Sequence, residues 1–367
     1  MSRFDRAGAV LTIDLGAIAV NYRRLNERLG GAKCACVVKA GAYGLGMGRV
    51  ARALARAGCD SFFVATLDEG LRLRRLLNEA EIAVFNGPPP GAEGELVANR
   101  LIPVLNDLGD IARWGARAHG HRRLHAILHV DTGMCRLGLP PEAVDRLAAE
   151  PERLAGLDVR LVMSHLACAD EPESPMNARQ LAAFTAARAG LPLAPASLAA
   201  SSGIFLGAAY HFDVARPGAA LYGINPTPGR PNPMAEVVRL QGKIIQVRDV
   251  DSPQTVGYGA THRVAGPGRI ATVPVGYADG YHRSLSNRAF AYIGNTQIPV
   301  VGRVSMDLIT LDVSAVPPER SQPGTTVDLI GGPSALDDVA ARAGTIGYEI
   351  LTSLGRRYPR RYVGNTA

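Results

Sequence analysis

The sequence predicts an α/β fold: an N-terminal (β/α)8 TIM barrel followed by a C-terminal, mostly-β domain. Eight short apolar segments alternate with helix-like segments over residues 34–216, which is typical of parallel βαβ units. The alternation stops near residue 237, where strand-like segments with Gly-, Pro-, Asp- and Asn-rich connections begin. The chain has 367 residues, enough for a barrel and a second domain.

The predicted barrel strands cover residues 34–38, 62–66, 82–87, 102–106, 125–131, 159–165, 195–200 and 212–216. Helical spacing predicts helices over residues 49–57, 68–78 (with Asp68 as the N-cap) and 140–150. A doubly wound open sheet is the competing architecture. However, no G-x-G-x-x-G follows the first strand, as a dinucleotide-binding sheet would favour.

The second domain is predicted from strands at 242–247, 270–274, 289–293, 297–301, 308–313 and 326–330, with short helices at 337–343 and 347–354. The Pro-rich segment 226–233 is a plausible hinge. We therefore expect a barrel over residues 1–233 and a mostly-β domain over 234–367. The opening strand at 9–13 could pair with either domain.

Charge and cysteine content narrow the function classes. The net charge is +7, but the arginines are scattered and aromatic residues make up only 5%, which argues against nucleic acid as a partner. The five cysteines show no paired C-x-x-C spacing, so free thiols in a reducing compartment are expected. No run approaches 18 apolar residues. We expect a soluble, cytoplasmic protein without a membrane partner or a metal.

Chemically active residues follow several predicted barrel strands. The first strand is followed by Lys39, the fifth by a turn with Arg136, the sixth ends at His165, the seventh is followed by Ser201, and the eighth ends at Arg216. Because the active site of a barrel lies at the carboxyl ends of its strands, we expect these side chains at one mouth.

This set of residues indicates an anionic ligand and a carbonyl-reactive amine. A lysine at the end of a buried strand, close to other cations, has a lowered pKa and becomes nucleophilic. Ser201 and the backbone amides near Gly203, Gly218 and Ala219 could bind a phosphate. A lysine and a phosphate site on a barrel together predict pyridoxal phosphate as the cofactor. Each residue alone has an ordinary structural interpretation, so the prediction depends on their coincidence.

The same residues occur in motifs that resemble those of the bacterial alanine racemases, which are fold-type III pyridoxal-phosphate enzymes. The motifs span nearly the whole chain in family order: K-A-G-A-Y-G (39–44), V-D-T-G-M-C-R-L-G (130–138), S-H-L-A-C-A-D (164–170), S-L-A-A-S-S-G-I (197–204), R-P-G-A-A-L-Y-G (216–223), V-G-Y-G-A-T (256–261), V-G-Y-A-D-G-Y (275–281), G-R-V-S-M-D (302–307) and G-Y-E-I-L (347–351). Any one motif is weak, whereas the combination is specific.

The resemblance implies alanine racemisation by two bases, Lys39 and Tyr258, with Lys39 also carrying the Schiff base. Tyr258 would come from the second subunit of a head-to-tail homodimer. The implied cofactor-binding residues, besides Lys39, are Tyr43, Arg136, His165, Ser201, Arg216, Gly218, Ala219 and Tyr348. Arg136 and the amide of Met306 would bind the substrate carboxylate. The channel through which the substrate enters would be lined by Asp170, Tyr277, Arg283 and Arg303.

Three positions depart from the family pattern. His129 stands where the family often has a carbamylated lysine that orients Arg136. The alternatives for that role here are His129 itself, a bound anion or no group at all. Gly41 stands where Asn or Asp is usual, and Ala200 where Asn is usual. We expect these two residues to loosen cofactor binding or to alter the tuning of the cofactor, without loss of the reaction.

Other functions fit less well. A racemase for serine or another amino acid is related, although the expected tyrosines favour a small substrate. A fold-type III decarboxylase would show a cysteine motif in the β domain, whereas no cysteine follows Cys168. A single-barrel cofactor-binding protein would lack the second domain. An alanine racemase would supply D-alanine for peptidoglycan or serve alanine catabolism, and the sequence leaves both roles open.

Overall fold

The computed structural model describes residues 2–118 and 123–364. The chain divides into two compact units. The barrel unit comprises Ile18–Leu221 and Asn225–Ala235. The β unit comprises the residues up to Ala17, Tyr222–Ile224, and the residues from Glu236 onward. The segment 225–235, which includes the Pro-rich stretch, thus groups with the barrel unit.

Parallel strands arranged in chain order form the barrel unit, and the predicted fold class is confirmed. Its strands are Lys33–Cys34, Cys36–Val37, Ser61–Val64, Glu81–Val84, Ile102–Leu105, Leu124–His129, Leu157–Met163, Ala196–Ser197 and Val214–Ala215. The first predicted strand is split in two. Its first half pairs with Val214–Ala215, and its second half pairs with Ser61–Val64. These pairings link the last strand to the first.

Helices connect the strands, and the five helices that were predicted begin within two residues of their predicted starts. The α-helices of the described chain are Leu15–Leu29, Met47–Arg56, Leu67–Leu76, Glu93–Ala98, Leu108–Gly115, Pro141–Ala149, Pro175–Ala189, Leu336–Ala343 and Gly347–Ser353. The short segment Lys39–Tyr43 is left-handed over residues 40–43. The predicted N-cap Asp68 is wrong. The cap is Thr66, whose hydroxyl accepts a hydrogen bond from the Glu69 amide at 3.4 Å, while Asp68 lies inside the first turn.

A buried arginine holds two connections of the barrel unit together. Arg74 donates hydrogen bonds to five backbone carbonyls, those of Leu77, Asn78, Ala80, Asn99 and Arg100, at 2.7–3.2 Å. The planar guanidinium can serve so many acceptors because its donors diverge in one plane. The loops that precede the third and the fourth barrel strands are therefore fixed by one side chain.

The β unit contains two larger sheets and a hairpin. Its six-stranded sheet has the order Thr296–Pro299, Phe290–Ile293, Thr326–Ile330, Val238–Lys243, Ala9–Asp14 and Arg360–Val363. A three-stranded sheet contains Gln246–Val250, Gly268–Val273 and Ile309–Asp312. Strands Thr255–Val256 and His262–Arg263 form the hairpin. Ala9–Asp14 pairs antiparallel with Val238–Lys243 and parallel with Arg360–Val363.

Two details of the β unit differ from the sequence-based prediction. The single strand predicted at 242–247 is two strands in different sheets, because the chain changes sheets at Ile244 and Ile245. The strand Arg360–Val363 was not predicted, since its arginines obscure the alternation that marks a strand. Within the described ranges, every helix is too short or too polar to cross a membrane.

Replacing Arg74 by lysine should destabilise the chain by about 2–3 kcal/mol, because an ammonium cannot satisfy five carbonyls that diverge around a planar group. Urea unfolding followed by circular dichroism measures the change. The control is Arg75→Lys, which alters an exposed side chain on the same helix. Equal midpoints for the two variants would contradict this role of Arg74.

Candidate active site

Lys39 directly precedes an unusual segment of backbone. The four residues that follow it, Ala40, Gly41, Ala42 and Tyr43, have φ values of 51°, 65°, 57° and 53°. A left-handed turn costs an L-residue about 1–2 kcal/mol, and four in succession are rare. Backbone strain of this kind is concentrated at functional sites. The turn is closed by hydrogen bonds from the Ala42 amide to the Val38 carbonyl and from the Gly44 amide to the Ala40 carbonyl, both 2.8 Å.

The conformation of Gly41 explains one departure from the family pattern. Its φ is positive, and a Cβ built on it would meet nothing within 4 Å. Asparagine and aspartate are the non-glycine residues that best tolerate this conformation, so all three suit the backbone here. Glycine at position 41 therefore relieves strain in the turn at no cost in packing.

The amine of Lys39 lies in a partly desolvated site. Its Nζ is 5.6 Å from the centre of the Phe85 ring. Burial and the charge of Arg136 lower the pKa of Lys39, while the carboxylate of Glu69 acts in the opposite direction. The balance favours the neutral, nucleophilic amine more than in a solvated lysine.

Arg216 is a buried cation with neutral partners. Its side chain is 2% exposed, and it donates to the Ser164 carbonyl at 2.5 Å and to the Ser197 hydroxyl. Burial lowers its pKa to about 9, so it stays protonated at neutral pH. No carboxylate forms an ion pair with it in the described part of the chain. A buried guanidinium in this situation favours an electron-rich ligand.

Two histidines near Arg216 are held in the neutral form. The pKa of His165 is lowered to about 3 by burial and by the charges of Arg216 and Arg136. The pKa of His129 is lowered to about 4 by burial and by the same two arginines. These shifts show that Lys39, the two arginines and the two histidines influence one another at the carboxyl ends of the barrel strands.

The hydrogen bonds of His129 define its tautomer. Its Nδ1 lies 2.8 Å from Oδ1 of Asn106. The Asn106 amide nitrogen donates to the carbonyls of Phe85 and Val104, both at 3.1 Å, so Oδ1 must accept. His129 therefore carries its proton on Nδ1 and leaves Nε2 as an acceptor. Asn106 was not predicted as a site residue, although its place at a strand end could have indicated it.

Asp131 organises the loop that contains Arg136. Its carboxylate accepts from the amides of Gly133, Met134 and Cys135 at 2.9, 3.0 and 3.1 Å. Arg136 itself is exposed, and no hydrogen bond or ion pair to it is found among the described residues. In the single chain, His129 therefore binds Asn106 and does not orient Arg136.

Ser201, Tyr43 and the turn after Arg216 form a cradle. The Ser201 hydroxyl accepts from the amides of Gly218 and Ala220, both at 3.1 Å. A Cβ on residue 218 would collide with the Tyr43 hydroxyl, so glycine is required there. Ala219 begins a short 3-10 turn, Ala219–Tyr222. Because the Ser201 oxygen accepts from these amides, its own O–H proton can be donated to an anion such as a phosphate.

Gln180 is a site residue that the sequence did not reveal. It is fully buried, its Oε1 accepts from the Ala167 amide at 2.8 Å, and its Nε2 donates to the His165 carbonyl at 2.9 Å and to the Thr132 hydroxyl at 3.2 Å. It thus links the loops after the fifth and sixth barrel strands. No sequence signal marks it, because it lies within an ordinary helix, Pro175–Ala189.

The remaining predicted residues, apart from Asp170 in the barrel unit, belong to the β unit. Tyr258 lies at the tip of the hairpin formed by Thr255–Val256 and His262–Arg263, with 72% of it exposed. The hairpin is anchored by Val256, which packs with Ile270 and Val301. The other exposed residues of this group are Tyr277, Arg283, Arg303, Met306 and Tyr348.

The fold and the site together define a barrel enzyme that places a nucleophilic lysine beside an anion-binding cradle. The family model "Alanine racemase, N-terminal domain" matches residues 13–226, and "Alanine racemase, C-terminal domain" matches residues 237–362. The chain belongs to the alanine racemase family, and the resemblance stated from the motifs is confirmed.

Individual relatives agree with this assignment. An alanine racemase of Rhodospirillum rubrum is 56% identical over 99% of this chain and 98% of its own. A protein of Mesorhizobium japonicum named "Alanine racemase, catabolic" is 54% identical over 98% of this chain and 94% of its own. A crystal structure of alanine racemase from Bartonella henselae, described as having covalently bound pyridoxal phosphate, is 40% identical with a TM-score of 0.94 and covers 97% of this chain and 100% of that one.

His129 should remain neutral down to about pH 4 and carry its proton on Nδ1, which NMR of ¹⁵N-histidine-labelled protein can measure. The unfolded chain takes up this proton near pH 6.5, so folding stability should fall as the pH drops from 6.5 towards 4. An Asn106→Leu variant lacks the acceptor and should lose the Nδ1 preference. Protonation of His129 near pH 6 in the parent protein would contradict the assignment.

Proposed function

We propose that this chain interconverts L-alanine and D-alanine with two bases, the Nζ of Lys39 and the hydroxyl of Tyr258. The activity itself is that of the family: the chain is a racemase that acts on alanine and depends on pyridoxal phosphate. The observation that most supports the proposed mechanism is the position of Lys39. The desolvated amine lies at the end of the first barrel strand, where burial and Arg136 lower its pKa.

The residues around Lys39 fit the cofactor. Lys39 would bond to its aldehyde, while Tyr43, Ser201, Gly218 and Ala219 suit the phosphate. Tyr348 from the β unit is proposed as a further phosphate ligand. When bound, pyridoxal phosphate withdraws electrons from the substrate Cα and makes its proton acidic.

Arg216 and His165 would tune the ring of the cofactor. Arg216 is buried and has no acidic partner in the described chain, so it can donate to the pyridine nitrogen. Because an arginine keeps its proton, that nitrogen would stay unprotonated, which limits electron withdrawal and disfavours side reactions such as transamination. His165, neutral at physiological pH, would lie beside the ring and connect to Tyr258.

Racemisation requires a proton to leave Cα on one face and a proton to return on the other, so two bases must flank this carbon. Lys39 would act on one face and Tyr258 on the other. Tyr258 is highly exposed at a hairpin tip, which leaves it accessible to a second copy of the chain. We therefore propose a head-to-tail homodimer in which each barrel receives Tyr258 from the other subunit.

The substrate carboxylate would bind the Arg136 guanidinium and the Met306 amide. The proposed channel residues are Asp170, Tyr277, Arg283 and Arg303, and all four are exposed in the single chain. Tyrosines around the site favour a small substrate side chain. We also propose a cytoplasmic location, which is supported by the five cysteines, all free thiols.

Incubation of the holoenzyme with L-alanine in deuterated water should give loss of optical activity with deuterium at Cα. Lys39→Ala should slow this exchange by about 10²- to 10⁴-fold, the usual contribution of a proton-transferring group. Lys33→Ala, which changes a half-buried, ion-paired lysine at the opposite end of a barrel strand, is the control. Full exchange in Lys39→Ala would refute the role of Lys39.

Mixing two inactive variants tests the shared site. Lys39→Ala chains and Tyr258→Phe chains, unfolded together and refolded in equal amounts, should recover about one quarter of the parent activity. Half of the dimers are then hybrids, with one intact site out of two. Each variant refolded alone serves as the control. Absence of recovery, with dimers present by size-exclusion chromatography, would contradict the proposed arrangement.

A further inference from the structure

We propose that Glu69 is a positioning residue, which holds the left-handed turn after Lys39 in place and directs a negative charge towards the Lys39 amine. This inference rests on the proposed role of Lys39. Glu69 belongs to none of the motifs that carry the family resemblance.

The carboxylate of Glu69 joins the ends of the first two barrel strands. Its Oε1 accepts from the Gly41 amide at 3.3 Å, inside the left-handed turn. Its Oε2 accepts from the Ala65 amide at 2.9 Å, directly after the strand Ser61–Val64. Hydrogen bonds to an ionised acceptor are stronger than those between neutral groups. A single side chain therefore ties the strained turn to the neighbouring strand.

The helix Leu67–Leu76 fixes the backbone position of Glu69. Glu69 lies in the first turn of this helix, where a negative charge is favourable, and its amide donates to the N-cap hydroxyl of Thr66 at 3.4 Å. The Glu69 backbone is therefore held by a capped helix end. The Glu69 side chain therefore extends from a backbone whose position is fixed.

The turn needs an external contact of this kind. Gly41 has the greatest backbone freedom of its residues, while Ala40, Ala42 and Tyr43 each adopt an unfavourable left-handed conformation. The hydrogen bond to Gly41 restrains the point at which the turn could most easily relax. The direction of the Lys39 side chain depends on that restraint, because Lys39 directly precedes the turn.

The charge of Glu69 also acts on the pKa of the Lys39 amine. The ionisable groups that act on Lys39 are Arg136, which lowers its pKa, and Glu69, which raises it; the charge of Lys39 in turn affects His165. Phe85 presents only a ring to Nζ. Glu69 thus offsets part of the effect of burial and Arg136.

Two variants of adjacent acidic residues separate this role from a general charge effect. Glu69→Gln removes the charge and keeps one carbonyl acceptor, whereas Asp68→Asn removes an exposed charge from the same helical turn. In the full chain freed of cofactor, trace acetylation of Lys39 is measured by mass spectrometry across a pH series. The labelling midpoint of Glu69→Gln should lie at lower pH than that of the parent, and the midpoint of Asp68→Asn should equal the parent value.

Hydrogen exchange reports on the turn itself. In Glu69→Ala, peptides that contain the Gly41 and Ala65 amides should exchange about tenfold faster, the factor expected for the loss of a charge-assisted hydrogen bond. In the holoenzyme, kcat should fall with little change in the KM for alanine, since Glu69 is proposed to act only through the turn and the amine of Lys39. Asp68→Asn is the control for both measurements.

The outcomes distinguish this inference from the function on which it rests. Three outcomes would overturn the role of Glu69 and leave the racemase mechanism intact. The labelling midpoint of Glu69→Gln could equal that of the parent, or Glu69→Gln and Asp68→Asn could shift it equally. Hydrogen exchange at the Gly41 amide could also be unchanged in Glu69→Ala. Full deuterium exchange in Lys39→Ala would instead refute the role of Lys39, whatever Glu69 does.

Discussion

A buried guanidinium, which has no acidic partner in the described part of the chain, is the constraint on which the candidate site depends. Among the described residues, Arg216 bonds a carbonyl and a hydroxyl at the carboxyl ends of the barrel strands. Its charge helps to keep His129 and His165 neutral. In the same cluster, burial and the charge of Arg136 shift Lys39 towards the free amine. A site of this kind selects electron-rich ligands, because added positive charge is disfavoured in a desolvated cationic cluster.

Backbone geometry is the second requirement, and the barrel meets it with side-chain acceptors placed at strand ends. Glu69 bonds the turn after Lys39, Asp131 bonds the loop before Arg136, and Ser201 bonds the turn after Arg216. In each case an oxygen accepts from loop amides that no strand or helix serves. The loops of the candidate site are therefore held by polar contacts, although their conformations are not regular.

Much of this organisation could be predicted from the sequence, and its limits are physical. The strand ends that lead to Lys39, His165 and Arg216 were visible because apolar runs stop there and the motifs have a fixed order. Gln180 was missed because it lies within an ordinary helix, and Asn106 was missed because its place at a strand end does not by itself reveal the hydrogen bond to His129. The cap of the helix Leu67–Leu76 was displaced by two residues, because Thr66 and Asp68 are both acceptable caps and only the backbone path decides between them.

The sequence by itself determined the alternation of strands and helices, the family and the residues proposed for chemistry, because hydrophobic periodicity and motif spacing are local properties of the chain. Only the tertiary structure decided that Ala9–Asp14 pairs with both Val238–Lys243 and Arg360–Val363, that residues 40–43 turn left-handed, and that His129 donates to Asn106. These features depend on sheet register, on backbone torsion and on burial. Each of them involves a contact between segments far apart in sequence, such as the bond from the Gly41 amide to Glu69, and no local pattern encodes such contacts.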